Sequence, residues 1–151
     1  MLKPIAIATA IAGTLDILSA VVFSIMAGST PIHMLQTVAS GPLGDVALSS
    51  TSYAVAGLLV HFAIMACMVT AYMVVAQRWK LLLDRPILAG ALYGLFLWFV
   101  MYWVVMHLRW DTPHPSKIVP IAKQLFSHII LVGIPIGLVA ARYLRSPATA
   151  R

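Results

Sequence analysis

Charged residues are scarce in this sequence, and acidic residues are the scarcest. Only 9% of the 151 residues are charged, whereas a soluble domain of this size usually carries about a quarter. Because 62% of the residues are hydrophobic, too little polar surface is left to cover a water-soluble globule. The composition therefore predicts one membrane domain and leaves no room for a second domain.

The scarce residue types also exclude several kinds of site. The only cysteine, Cys67, lies in an apolar stretch, so an intramolecular disulfide and a cysteine-based zinc site are excluded. The four acidic residues are not paired, and neither a P-loop nor a GxSxG motif is present. We therefore expect a protein that is not an enzyme. The basic residues flank apolar runs and form no groove-lining patch, so we expect no nucleic-acid partner.

Four apolar runs are long enough to cross a bilayer whose hydrocarbon core is about 30 Å thick. They lie at about residues 5–26, 54–76, 87–108 and 120–144. The first run continues past any signal-peptide cleavage point and contains an aspartate, so we expect it to be retained. A shorter segment at about residues 31–40 opens with Pro31 and is predicted to be an interfacial helix that Gly41 and Pro42 stop. The expected fold is an all-α antiparallel bundle of four transmembrane helices, with this short helix between the first two.

Glycines mark where the predicted helices can approach closely. Gly90 and Gly94 form a GxxxG motif in the third helix, and Gly133 and Gly137 flank Pro135 in the fourth. The proline is expected to kink that helix. Either glycine pair could serve contacts within one bundle or between two. A homo-oligomer or a partner membrane subunit therefore stays open, beside the lipid bilayer itself.

The basic residues predict the orientation of the bundle. One end carries Lys3, Arg78, Lys80, Arg85, Arg142, Arg145 and Arg151, and the other carries Arg109, Lys117 and Lys123. Lysine and arginine accumulate on the cytoplasmic side of membrane proteins. The sequence therefore predicts a multi-pass protein of the bacterial inner membrane with both termini in the cytoplasm.

Four polar side chains fall inside the predicted membrane helices. They are Asp16 in the first helix, His61 in the second, and Gln124 and His128 in the fourth. Ionisable groups at this depth face protein or water, because lipid does not solvate them. A rise of about 1.5 Å per residue places the two histidines near one level, with Asp16 slightly below. We predict that these four side chains line a polar pocket in the outer half of the bundle.

The predicted pocket has several interpretations. In one, Asp16 bonds to His61 and only ties helices together, as in a structural or accessory subunit. In another, the pocket serves proton-coupled transport or small-solute binding, because aspartate and histidine carry protons. In a third, His61 and His128 are the axial ligands of a b-type haem in an electron-transfer protein. An intramembrane lipid-processing enzyme that uses Asp16 as a base also stays open. Copper and zinc sites are not predicted, because no tight ligand motif such as HxxxH occurs.

Five stretches carry a resemblance to a known family. They are Ala12-Gly-Thr-Leu-Asp16-Ile, Leu35-Gln-Thr-Val-Ala-Ser-Gly41, Gly57-Leu-Leu-Val-His61-Phe, Gly90-Ala-Leu-Tyr-Gly94 and His128-Ile-Ile-Leu-Val-Gly-Ile-Pro135. Together they touch all four predicted membrane helices and the first loop. The chain resembles a family of small bacterial inner-membrane proteins of unknown function. The resemblance implies a four-helix membrane protein and brings no activity, cofactor or catalytic residue with it.

Overall fold

The computed structural model describes residues 1–111 and 116–145, and all regular structure in these ranges is helical. The helices are α1 (Leu2–Met26), α2 (Pro31–Leu43), α3 (Tyr53–Arg78), α4 (Leu81–Asp84), α5 (Pro86–Trp110) and α6 (Ile118–Leu144). Among them α1, α3, α5 and α6 are long and apolar enough to cross a membrane. The prediction of an all-α membrane protein with four spanning helices is confirmed. Arg151, which entered the orientation argument, lies outside the described residues.

The spanning helices extend slightly beyond the apolar runs of the sequence. Helix α1 begins at Leu2, and its Pro4 lies in the first turn, where the helix needs no backbone donor. Helix α3 continues to Arg78, and α5 runs from Pro86 to Trp110. Charged and amphipathic residues at helix ends reach the membrane interface without interrupting the helical backbone. A hydrophobicity boundary therefore underestimates helix length.

Helix α2 ends later than the sequence suggests. Thr30 caps its start by accepting a hydrogen bond from the backbone N–H of His33 at 3.1 Å. The helix then continues through Gly41 and Pro42, because a proline in the last turn removes one donor without preventing helical geometry before it. It ends at Gly44, whose φ of +78° is a left-handed backbone conformation that suits glycine.

Helices α5 and α6 meet through the predicted glycine positions. A Cβ atom added at Gly94 would collide with the backbone of His128 and Ile129, and one added at Gly90 would collide with the backbone at Gly133. Gly133 and Gly137 face Gly90 in return. These glycines therefore serve a contact within one bundle, where backbone meets backbone.

Two segments of the spanning helices have π-helical hydrogen bonding. They are Val100–Val105 in α5 and Phe126–Gly133 in α6. The second ends at Gly133, and Pro135 is the second residue of the α-helical segment Ile134–Leu144 that follows it, a position that tolerates its missing N–H. Such π-helical turns are rare and occur frequently at functional sites.

The bundle has two unlike halves. The terminal half holds the start of α1, the end of α6 and helix α4. Its core is packed from small and medium side chains, including Ala8, Ala76 and Ile136. At its end the Arg145 guanidinium donates to the Leu83 carbonyl and ties α6 to α4. The other half carries α2 and contains a cavity, and we call it the cavity half.

Candidate functional site

A cavity of about 690 Å³ lies in the cavity half and is bounded by α1, α2, α3, α5 and α6. This volume is in the range that accommodates a small-molecule ligand. All four residues proposed from the sequence, Asp16, His61, Gln124 and His128, line it. The structure thus brings them to one space, and their role in that space stays a prediction.

Asp16 and His61 face each other across the contact of α1 and α3. The Nδ1 atom of His61 is 4.0 Å from Oδ2 of Asp16, and its Nε2 atom is 3.0 Å from the Gly13 carbonyl oxygen. Because a carbonyl only accepts, Nε2 carries a proton and donates it to Gly13. Nδ1 then faces the Asp16 carboxyl group. Their separation of 4.0 Å is within ion-pair range but longer than a hydrogen bond, so the carboxyl group has no direct bond to the ring.

His128 is oriented differently. Its Nδ1 atom donates to the carbonyl oxygen of Gln124 at 3.0 Å, one turn earlier in α6, so Nε2 is the acceptor of the neutral ring. The ring packs edge-on against Tyr102 of α5, with centroids 5.7 Å apart. The Gln124 side-chain oxygen accepts a hydrogen bond from Trp98 Nε1 at 3.1 Å. Contacts with α5 therefore position the side chains of Gln124 and His128, and a bond within α6 also orients the His128 ring.

Two serines connect α1 to α6 beside Asp16. Ser19 Oγ is 2.8 Å from the Asp16 carbonyl oxygen and 2.7 Å from Ser127 Oγ. The carbonyl only accepts, so Ser19 donates to it and accepts from Ser127. These bonds hold the wall of the cavity together without using the Asp16 carboxyl group, which leaves that group available to the cavity.

Helix α2 covers the cavity and is held there by the end of α5. Arg109 Nε donates to the carbonyl oxygens of Ser40 and Gly41 at 2.9 and 3.1 Å, and its Nη2 is 2.9 Å from Asp45 Oδ1. Trp110 Nε1 donates to Ser40 Oγ at 3.2 Å. We call these contacts the Arg109 clasp. Sequence patterns gave no indication of it, because its partners lie 64 to 69 residues from Arg109.

Lys123, which entered the sequence analysis as one of the basic residues that predict the orientation, also lines the cavity. Its Nζ atom lies 5.2 Å from the centroid of the Phe23 ring, which fits a cation–π contact between α6 and α1. In the described part of the chain, ion pairs join Asp16 to His61 and Asp45 to Arg109. Lys123 therefore has no carboxylate within 4.0 Å among the described residues.

The haem alternative requires that His61 and His128 each have a ring nitrogen free to bind iron. Axial ligation needs an available ring nitrogen on each histidine. The His128 bond to Gln124 uses Nδ1, whereas the His61 bond to Gly13 uses Nε2 and leaves only the nitrogen that faces Asp16. The pair does not fit a haem held through both Nε2 atoms unless His61 gives up its bond to Gly13. Within the described ranges, no three histidine, cysteine or acidic side chains cluster as a metal site.

Comparison with known proteins assigns no family to this chain. No protein-family model, no curated protein and no solved structure matches it. The resemblance to small bacterial inner-membrane proteins stays a prediction. The site is therefore interpreted from its own geometry, which is that of a multi-pass integral membrane protein with a largely apolar cavity between its helices that four predicted polar residues also line.

Proposed function

We propose that this protein is a proton-coupled carrier that binds a small solute in its intramembrane cavity. The observation that carries the proposal is the position of the Asp16 carboxyl group 4.0 Å from the His61 ring at the cavity wall, and we assign the transported proton to this pair. Aspartate and histidine placed inside membrane helices are typical of proton pathways. A solute that enters the cavity would change the environment of this proton, and this change couples solute binding to proton binding.

The surroundings of Asp16 support such coupling. His61 on α3 and His128 on α6 both interact electrostatically with its carboxyl group, as does the Tyr102 hydroxyl on α5. Ser19 is bonded to the backbone of Asp16 and not to its carboxyl group. Toward the mouth of the cavity the charged groups are Lys123 and Arg109. Helices α1, α3, α5 and α6 thus each bring a titratable or charged side chain to the cavity, and the acidic one is Asp16 on α1.

Helix α2 supports the proposal as a movable cover. It is flanked by Gly28 and Gly44, both with a φ of +78°, and the Arg109 clasp holds it against α5. On its other side α2 packs against α3, where the Leu35 backbone meets Gly57, so release of the clasp would let α2 swing away from α5 about its contact with α3. The distribution of basic residues supports a periplasmic location for this cover, with both termini in the cytoplasm of a bacterial inner membrane.

The proposal requires that water and solutes reach the cavity, and thiol labelling tests this. In a Cys67→Ser background, Ala20→Cys lines the cavity, and the matched control Leu18→Cys is 55% exposed on the lipid-facing side of the same helix. A charged maleimide needs a hydrated thiolate. We expect it to modify Ala20→Cys from the α2 side of sealed vesicles and to leave Leu18→Cys unmodified.

Two further variants sharpen the labelling experiment. Ser49→Cys lies on the exposed turn after α2 and reports which face of the membrane carries α2. Adding Arg109→Gln should raise the labelling rate at Ala20→Cys by about tenfold, because several charge-assisted hydrogen bonds to α2 are lost. Labelling of Ser49→Cys without any labelling of Ala20→Cys, with the clasp intact or removed, would show a dry cavity and contradict the proposal.

A further inference from the structure

We infer that the cavity takes an organic anion with an apolar body, and that Lys123 binds its negatively charged headgroup. The inference rests on the proposed carrier function and names the chemical class of its solute. Three features of the cavity lead to it, namely a cation without a counter-ion, a methionine-rich wall and the proton site at Asp16 and His61.

The cation is the first feature. Lys123 is half-buried on a membrane-spanning helix and lines the cavity. The other permanent cation at the cavity, Arg109, has Asp45 at 2.9 Å, whereas Lys123 has no carboxylate within 4.0 Å in the described part of the chain. A cation without a counter-ion is costly inside a membrane protein, and an anionic ligand removes this cost.

The wall of the cavity is the second feature. Most lining side chains are apolar, and they include Met34, Met65, Met68, Met101 and Met106 from three different helices. Methionine is unbranched and polarizable, so it adapts to apolar ligands of different shapes. A headgroup at Lys123 would therefore leave the rest of the ligand against a flexible apolar surface.

The proton site is the third feature, because it balances the charge of the ligand. An anion that crosses a bilayer alone moves one negative charge through hydrocarbon, which is unfavourable. If one anion at Lys123 moves together with one proton at Asp16 and His61, the net charge transferred is zero. The two sites line the same cavity, as this pairing requires.

Equilibrium dialysis of the protein in phosphatidylcholine nanodiscs tests the inference. The probe is radiolabelled 1-octanesulfonate, which stays anionic throughout the working pH range, and empty nanodiscs give the background. We expect saturable binding that weakens by about tenfold or more in Lys123→Gln, because a charge-assisted contact is lost. Lys123→Arg should retain binding. Lys117→Gln removes the same charge from the exposed start of α6, outside the cavity, and should bind like the wild-type protein.

Two outcomes of the dialysis would overturn the inference. One is equal binding by the wild-type protein and Lys123→Gln, and the other is tighter binding of octyltrimethylammonium than of octanesulfonate. Absence of octanesulfonate binding would also overturn it. In that case, labelling of Ala20→Cys would still show that solutes reach the cavity. The proposed solute class would then be wrong, whereas the proposed carrier function would not be contradicted.

The anionic headgroup could belong to a free solute or to a membrane lipid, and the nanodisc composition distinguishes them. Replacing part of the phosphatidylcholine with phosphatidylglycerol adds an anionic lipid at constant probe concentration. Displacement of octanesulfonate that depends on Lys123 would support the anion site and identify lipid as its source. Unchanged binding would support a site for a free organic anion.

Discussion

The terminal half and the cavity half use the same spanning helices but different backbones. In the terminal half α5 and α6 are regular α-helices over Pro86–Phe99 and Ile134–Leu144, and Gly137 meets the backbone of Pro86 and Gly90 there. In the cavity half both become π-helical, over Val100–Val105 and Phe126–Gly133. A π-helical turn bonds each residue to the fifth along the chain, so it adds a residue and redirects the side chains around it.

This difference shows how one pair of helices supports both packing and a cavity. The π-helical segments contribute Tyr102, Ser127 and His128 to the cavity wall. The glycine contacts of α5 begin at the π-helical segment of α6, where Gly94 meets His128, and continue toward the terminal half, and they fix the distance between the two helices. Stability is concentrated where the helices touch, and polar groups are gathered where the backbone departs from the α-helix.

The largest predicted effect is a loss of stability in Gly94→Ala, and the same glycine-to-alanine change at Gly41 is its control. Gly94→Ala places a Cβ against the His128 backbone, which cannot move without separating α5 from α6, so we expect a loss of about 3 kcal/mol or more. Gly41→Ala in α2 is the matched change in the cavity half, where the nearest atom is a Trp110 carbon at 3.7 Å. It should be neutral or stabilising by about 0.5 kcal/mol. Unfolding in mixed micelles would measure both, and equal effects would contradict the division into two halves.

The second prediction separates a structural role of Asp16 from a functional one. In Asp16→Asn the amide N–H can still donate to His61 Nδ1, so the tie between α1 and α3 is kept while the proton site is lost. We expect the free energy of unfolding to change by less than about 1 kcal/mol. Proton uptake into proteoliposomes, driven by external octanesulfonate and measured with an entrapped pH-sensitive dye, should be abolished.

The structural alternative makes the opposite prediction for the same pair of proteins. If Asp16 only ties helices together, neither the wild-type protein nor Asp16→Asn will show proton uptake. Uptake at the wild-type rate in Asp16→Asn would show that the proton is carried elsewhere. Asp84→Asn is a suitable control, because it also removes one carboxylate but lies exposed at the end of α4, outside the cavity and away from the Arg109 clasp.

Sequence patterns were informative where the physical signal is local. Helix length and apolar composition gave the four spanning helices, and helical rise brought Asp16, His61 and His128 to similar depth. The spacing of Gly90 and Gly94 indicated a close contact, although not which helix they meet. Each of these signals lies within a single helix of the sequence.

Other features depend on contacts between distant residues and could not be predicted. The Arg109 clasp, the bond between Ser19 and Ser127, and the Trp98 contact with Gln124 join different helices, and nothing in their local sequence selects a partner. The orientation of the His61 ring between Asp16 and the Gly13 carbonyl also depends on how α1 packs against α3. The π-helical turns are also set by tertiary packing, since π-helices are rare and have no simple sequence signature.

A final, small effect is predicted in the packed terminal half and concerns Thr9. Its Oγ1 atom is buried and has no hydrogen-bond partner among the described residues, although α1 packs tightly around Ala8 and Ala12. Thr9→Val has nearly the same shape and removes the unsatisfied hydroxyl, so it should stabilise the protein by about 1 kcal/mol. Thr14→Val is the control, because Thr14 is exposed on the same helix and its surroundings change little on folding. A loss of stability specific to Thr9→Val would mean that Thr9 is bonded, and that polar contacts extend into the half that otherwise packs by shape.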